Sequence, residues 1–158
     1  MALAASGSWA HHWVMTTPHH LDAHPDPTLE EIGHDECLSL LATRQFGRMA
    51  IVRDGRPEIF PVNYVLSEDT IVIRTQTGVK LTYASLARVA FEVDDIDLTS
   101  REGWTVVVKG LAEDVSDCAD PWSEKALQAV VDPWVPGPHE HTLAISHPTV
   151  SGRRLRRS

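Results

Sequence analysis

The segment Arg74-Thr75-Gln76-Thr77-Gly78-Val79-Lys80 carries the residue types in this chain best suited to chemistry. A guanidinium, two hydroxyls and an ammonium fall around one glycine. Where a strand gives way to a helix, backbone N–H groups attract anions, and Thr hydroxyls with a Lys ammonium complete a phosphate site. The spacing is not that of a GxxxxGK[ST] loop, and the same residues also suit an ordinary strand–turn–helix with solvated side chains. A second group is Pro61-Val62-Asn63-Tyr64. Proline breaks strand pairing, so backbone groups near it are free to hydrogen-bond a planar heterocycle. The alternative is a bulge beside a core tyrosine.

Other candidates are weaker. Of the tryptophans, Trp104 opens a strand, while Trp122 and Trp134 flank a late helix. Buried indoles serve as core or interface anchors more often than as stacking platforms. His139 and His141 share a strand face, but no Cys or carboxylate stands at structural-zinc spacing from them, so no metal is expected. Cys37 sits on an apolar helix face and reads as core. The acidic run from Glu92 to Asp97 and the terminal Arg153, Arg154, Arg156 and Arg157 read as solvated charge. There is no GxSxG, HExxH or GxGxxG motif.

These groups need a scaffold, and the pattern points to a β-rich one. Asp35 as N-cap, the Cys37/Leu40/Leu41 face and Gly47 as stop predict a helix over 35–45. Residues 47–53 alternate and end at Asp54-Gly55, a strong hairpin signal; 57–65 return, with Pro61 marking a bulge or an edge. Residues 70–75 form a β-branched strand, broken at Thr77-Gly78, and 79–87 a short helix. Strands follow at 88–94 and 104–115, the latter with Gly110 as a bulge or bend. Asp120-Pro121 opens a helix to about Val131. A proline-rich loop spans 132–139, and 141–147 is the last strand, with 149–152 as its extension. About six hairpin-linked strands and three short helices favour a mainly β (α+β) fold, a closed or half-closed antiparallel barrel.

Length and charge set the frame. A chain of 158 residues is one domain with tails. Residues 1–33, with three prolines and five of the nine histidines, read as a disordered tail; 34–154 form the domain; 155–158 are a basic tail. Residues 1–36 hold six acids and no Lys or Arg, whereas the last six residues hold four arginines. The net charge of −8 argues against a nucleic-acid partner. No apolar run reaches 18 residues, so no membrane partner is expected. Two cysteines and no visible signal segment point to a reducing, cytoplasmic setting.

In order along the chain, several segments resemble the pyridoxamine 5′-phosphate oxidase-like flavin-binding proteins with a split β-barrel. They are Gly47-Arg48-Met49-Ala50, Asp54-Gly55-Arg56-Pro57, Phe60–Tyr64, Ile73-Arg74-Thr75, Gly78-x-Lys80, Val89–Asp94, Gly103–Val108 with Gly110, Trp134-x-Pro136 and Val150–Arg153. The resemblance covers about residues 34–154. It implies a homodimer with FMN between subunits. Pro61, Val62, Asn63 and Tyr64 would face the ring, largely through backbone. Arg74, Thr75, Gly78 and Lys80 would hold the phosphate, with Arg48 as a helper, and Trp104 would contribute to the wall that the partner closes. The activity implied is that of a flavin-dependent oxidoreductase on a small-molecule substrate, with NAD(P)H a candidate donor. No Arg-x-His pair follows Ser151-Gly152, so pyridoxamine phosphate is not the expected substrate. The alternatives are an F420-dependent reductase on the same fold and a non-catalytic flavin-binding protein.

Overall fold

The computed structural model of the chain describes residues 27–157. β1 (Thr28–Ile32) precedes α1 (His34–Ala42). β2 (Phe46–Arg53), β3 (Arg56–Ser67) and β4 (Thr70–Thr75) follow as a meander. α2 (Val79–Ala84) leads into β5 (Ala87–Asp97) and β6 (Glu102–Asp114), and α3 (Pro121–Gln128) precedes the long final strand β7 (His141–Arg156). Asp54 and Gly55 form the β2–β3 turn with φ of 50° and 75°, the two left-handed residues that match strand twist in a tight hairpin.

All pairings are antiparallel. The order is β1-β7-β4-β3-β2-β5-β6, and β6 also pairs with β7, so six strands close into a barrel. β4 pairs with the first part of β7, residues 141–145, and β1 with its end, residues 152–156. This is the split antiparallel barrel expected. The bulge expected at Gly110 is present as a register shift between Lys109 and Leu111. A Cβ on Gly110 would lie 2.6 Å from the Ser146 carbonyl, too close for any other residue without a shift.

Several boundaries differ from expectation. Residues 28–32, read as tail, form β1, and Leu155 and Arg156, read as tail, end β7. Charge explains both. The register sets Glu30 opposite Arg154 and Glu31 opposite Arg153. Arg156 Nε lies 3.5 Å from Glu30, and Arg154 Nη1 lies 2.6 Å from Glu36. Such surface pairs contribute about 0–1 kcal/mol each, so the edge also relies on ladder hydrogen bonds. Residues 1–26 of the expected tail lie outside the described residues. α1 is capped by Gly33 without a side-chain bond, which places Asp35 and Glu36 in its first turn, beside the positive dipole end. It ends at Ala42, so Gly47 lies inside β2. The break expected near residue 148 coincides with that register shift, where Ser146 faces Leu111 and Thr149 faces Lys109, and β7 continues past it to Arg156.

The core fills the barrel with Met49, Ile51, Ile73, Phe91, Val106 and Leu143, each 1% exposed or less. β4 is buried on both faces: Val72 packs outward against Ala126 of α3 and Val115. Asp120 accepts hydrogen bonds from the N–H groups of Trp122 and Ser123, as a good N-cap does. α3 thereby delivers the following loop, 129–140, to the end of β4.

Candidate functional site

The site begins with an open strand edge. β3 pairs with β2 from Arg56 to Asn63, but with β4 only from Tyr64 to Ser67. Pro61 therefore lies where one side of β3 has no strand neighbour. The Tyr64 N–H donates to the Gln45 carbonyl at 3.1 Å. Alternation then turns the backbone polar groups of Pro61 away from β2, toward the open side, where a missing N–H costs nothing. The edge expected from Pro61 is thus present, and the β2–β3 register has no shift.

Beside this edge β4 ends and α2 begins, through Gly78 at φ 155°. Pro61, Val62 and Asn63 of β3 and the whole run from Arg74 to Lys80 line one cleft of about 260 Å³. The loop 129–140 adds Pro133, Val135 and His139, and among the described residues no Asp or Glu lines the cleft. Two segments separated by ten residues thus meet on one cavity. A larger hollow of about 740 Å³ near Trp122 is lined by Asp69, Glu113, Asp114 and Asp120 and by no Lys or Arg, which suits no anion.

The cleft is electropositive. Burial lowers the pKa of the half-buried Lys80 ammonium below the ordinary lysine value. Among the described residues, the Arg74 guanidinium donates to the Leu127 carbonyl alone, at 3.4 Å. Thr75 is 1% exposed and donates to the Gln76 carbonyl. Thr77 Oγ1 lies 3.1 Å from His141 Nε2, and His141 Nδ1 lies 3.0 Å from Asp114 Oδ2. Partial burial works against the Asp114 charge, yet hydrogen bonds from Ser116 and His141 outweigh it and hold the carboxyl below its ordinary value. His141 and Asp114 were not among the residues the sequence singled out for this site. His141 reaches it because β7 sets it opposite Thr75.

Asn63 is engaged at both ends of its amide. Nδ2 donates to the Gln45 carbonyl at 3.2 Å, and Oδ1 accepts from the Trp134 N–H at 2.9 Å. The Trp134 ring stacks on Phe46 with centroids 5.4 Å apart and planes 6° from parallel. Asn63 therefore ties the loop 129–140 to the rim of the cleft.

Two residues expected at the site, Tyr64 and Arg48, lie elsewhere in this chain. Tyr64 is 1% exposed, donates to the Leu41 carbonyl at 2.6 Å and meets Phe91 edge-on. Burial pushes its hydroxyl pKa upward, and it is a core residue. Arg48 stands opposite Pro61, but its guanidinium binds Glu92 at 2.9 Å and Asp94 at 2.5 Å. Trp104, expected in the wall that the partner closes, sits under the Arg44 guanidinium, 5.8 Å from ring centroid to carbon. His139 and His141 do not converge: His139 Nε2 contacts the Val135 carbonyl. Among the described residues no three His, Cys, Asp or Glu side chains gather as metal ligands. No described helix is long and apolar enough to cross a membrane.

The model of the pyridoxamine 5′-phosphate oxidase family matches residues 33–154 of this chain. An uncharacterized protein of Mycobacterium tuberculosis is 35% identical over 131 residues, which are 79% of this chain and 84% of that protein. An FAD-binding protein from Mycobacterium smegmatis is similar in structure, with a TM-score of 0.61 and 28% identity over 82% of this chain and 100% of that one. A conserved protein of unknown function from Corynebacterium diphtheriae gives a TM-score of 0.64 and 32% identity over 79% and 96% of the two chains.

Proposed function

The chain belongs to the pyridoxamine 5′-phosphate oxidase family, and on that premise we propose that its cleft holds a flavin by the phosphate. The observation that carries this reading is the local charge. In a chain of net charge −8, the described residues line the cleft with Arg74 and Lys80 and with no carboxylate. Burial disfavours the Lys80 ammonium, and a phosphate beside it would favour it again. Thr77 adds a hydroxyl, and the open edge of β3 at Pro61 offers backbone acceptors to the polar rim of a ring.

The cleft fits one end of such a ligand. Its volume of about 260 Å³ falls below the roughly 300–1,000 Å³ usual for small-molecule pockets. A second copy of the chain supplies the missing wall in this reading. Val52, Ile59, Leu98 and Trp134 are exposed apolar side chains available for that contact. The free thiols of Cys37 and Cys118 fit a reducing, cytoplasmic setting.

A bound flavin supplies hydride and electron transfer, and the protein binds and orients it. No acid or base of the chain is assigned a step. The FAD-binding relative from Mycobacterium smegmatis brings FAD beside FMN as the cofactor. In a separate hollow, Arg44 and Arg48 are neutralised by Asp95, Glu92 and Asp94. That leaves little to hold the long acidic tail of F420 and favours FMN or FAD. The reaction proposed is reduction of a small molecule with NAD(P)H as donor. Pyridoxamine phosphate is not the proposed substrate: Arg154 is tied to Glu36, and Arg153 lies opposite Glu31.

Titration with FMN, FAD and F420, followed by flavin fluorescence, tests the reading. Binding of FMN or FAD at micromolar levels, tighter than F420, is expected. Failure of all three to bind overturns it, and binding of F420 alone overturns the choice of cofactor. NAD(P)H oxidation by the loaded protein separates an oxidoreductase from a carrier.

A further inference from the structure

The Thr77 hydroxyl stands between the cleft and an imidazole. Its Oγ1 lies 3.1 Å from His141 Nε2, and His141 Nδ1 lies 3.0 Å from Asp114 Oδ2. Asp114 also accepts from the Ser116 N–H and hydroxyl. An ionised carboxylate only accepts, so Nδ1 carries a proton. The remaining nitrogen, Nε2, has two states. With His141 neutral, Nε2 is a bare acceptor, the Thr77 O–H donates to it, and the hydroxyl turns only lone pairs to the cleft. With His141 charged, Nε2–H donates to Thr77 Oγ1, and the Thr77 proton is free to point into the cleft. The two states keep the same contact but show a ligand opposite faces, acceptor or donor. A fully ionised phosphate has acceptors only and selects the second.

We propose that phosphate binding at Thr77 is coupled to uptake of one proton by His141 Nε2, which makes His141 a positioning residue for phosphate recognition. The proposal rests on the flavin reading of the cleft and deepens it. The groups around this pair are few. Asp114 of β6 accepts from Nδ1. Arg74 of β4 and Lys80 of α2 line the same cleft as Thr77, and His139 of the loop faces the Val135 carbonyl. No bond other than the N–H forms; the proton comes from solvent and returns when the ligand leaves.

Calorimetry of FMN binding (FAD where FAD binds tighter), in buffers of different ionisation enthalpy, counts the protons taken up. At about pH 8, above the ordinary histidine range, a phosphate monoester is already fully ionised and releases no proton. Uptake approaching one proton per flavin is expected for the native chain. His141→Gln retains an amide that can donate to Thr77 without titrating, and uptake is expected to vanish while binding persists. Thr77→Val leaves the imidazole in place, removes the hydroxyl, and is expected to abolish uptake and weaken binding roughly tenfold, the scale of one hydrogen bond to a charged group. Binding without proton uptake overturns the proposal, as does uptake that persists in either variant, which would place the proton on Lys80. Absence of binding heat with both flavins removes the site itself, a different failure.

Discussion

Two arginine-bearing faces flank β3, and they differ in who answers the charge. On the β2–β5 face, Arg48 is clamped by Glu92 and Asp94, and Thr105 donates to Glu92 in turn. In the cleft, Arg74 and Lys80 meet carbonyls, hydroxyls and apolar surface but no carboxylate among the described residues. Each face carries an arginine in sequence. Only one is balanced by the fold, and that balance serves the sheet. The unbalanced one adjoins a cavity, where an anion from outside completes it. Resident counter-charge, more than the mere presence of a cation, separates a structural arginine from a binding residue.

The contrast is open to test, most strongly at Lys80. Lys80→Ala is expected to weaken flavin binding by about 1.5–3 kcal/mol, roughly ten- to hundredfold, without lowering the urea midpoint, because burial disfavours its charge. A lowered midpoint with unchanged affinity would make Lys80 structural. Asn63→Ala removes the tether to Trp134 and is expected to cost about 1 kcal/mol of binding through faster release, read by stopped-flow fluorescence. An unchanged release rate would detach the loop 129–140 from the site.

Acid should act through Asp114. Its carboxyl is held below the ordinary value in the fold, so the stability it lends is present above the unfolded pKa of about 3.9 and fades as pH falls through the folded value. In Asp114→Asn, the acid limb of a urea-midpoint profile is expected to flatten; an unchanged limb would assign it to other carboxylates. The smallest effect is expected for Arg48→Ala. Arg48 is half exposed, so its pairs are worth about 0–1 kcal/mol of stability, and flavin affinity should stay as in the native chain. A tenfold loss of affinity would erase the contrast between the two faces.

Where structure follows from local spacing, it was legible in the sequence. The Asp54-Gly55 turn, the strand from Thr70 to Thr75, the cap at Asp120 and the bulge at Gly110 each depend on a few adjacent residues. The cleft segments Pro61–Asn63 and Arg74–Lys80 were legible for the same reason. β1 was not, because only Ile32 of its five residues is buried, and its partner strand lies more than a hundred residues away. The acid-rich start and arginine-rich end were the visible trace of that pairing. Tyr64 was open to correction in advance: side chains alternate along a strand, so it cannot share the outward face of Pro61 and Asn63. The diversion of Arg48 to β5, and the arrival of His141 beside Thr77, depend on long-range pairing that no local pattern encodes.

The most direct measurement is a crystal structure of the flavin-loaded protein. The phosphate is expected within hydrogen-bond reach of Lys80 Nζ and Thr77 Oγ1, with Arg48 still bound to Glu92 and Asp94. A phosphate held by Arg48, or a flavin seated in the acidic hollow beside Trp122, would contradict it.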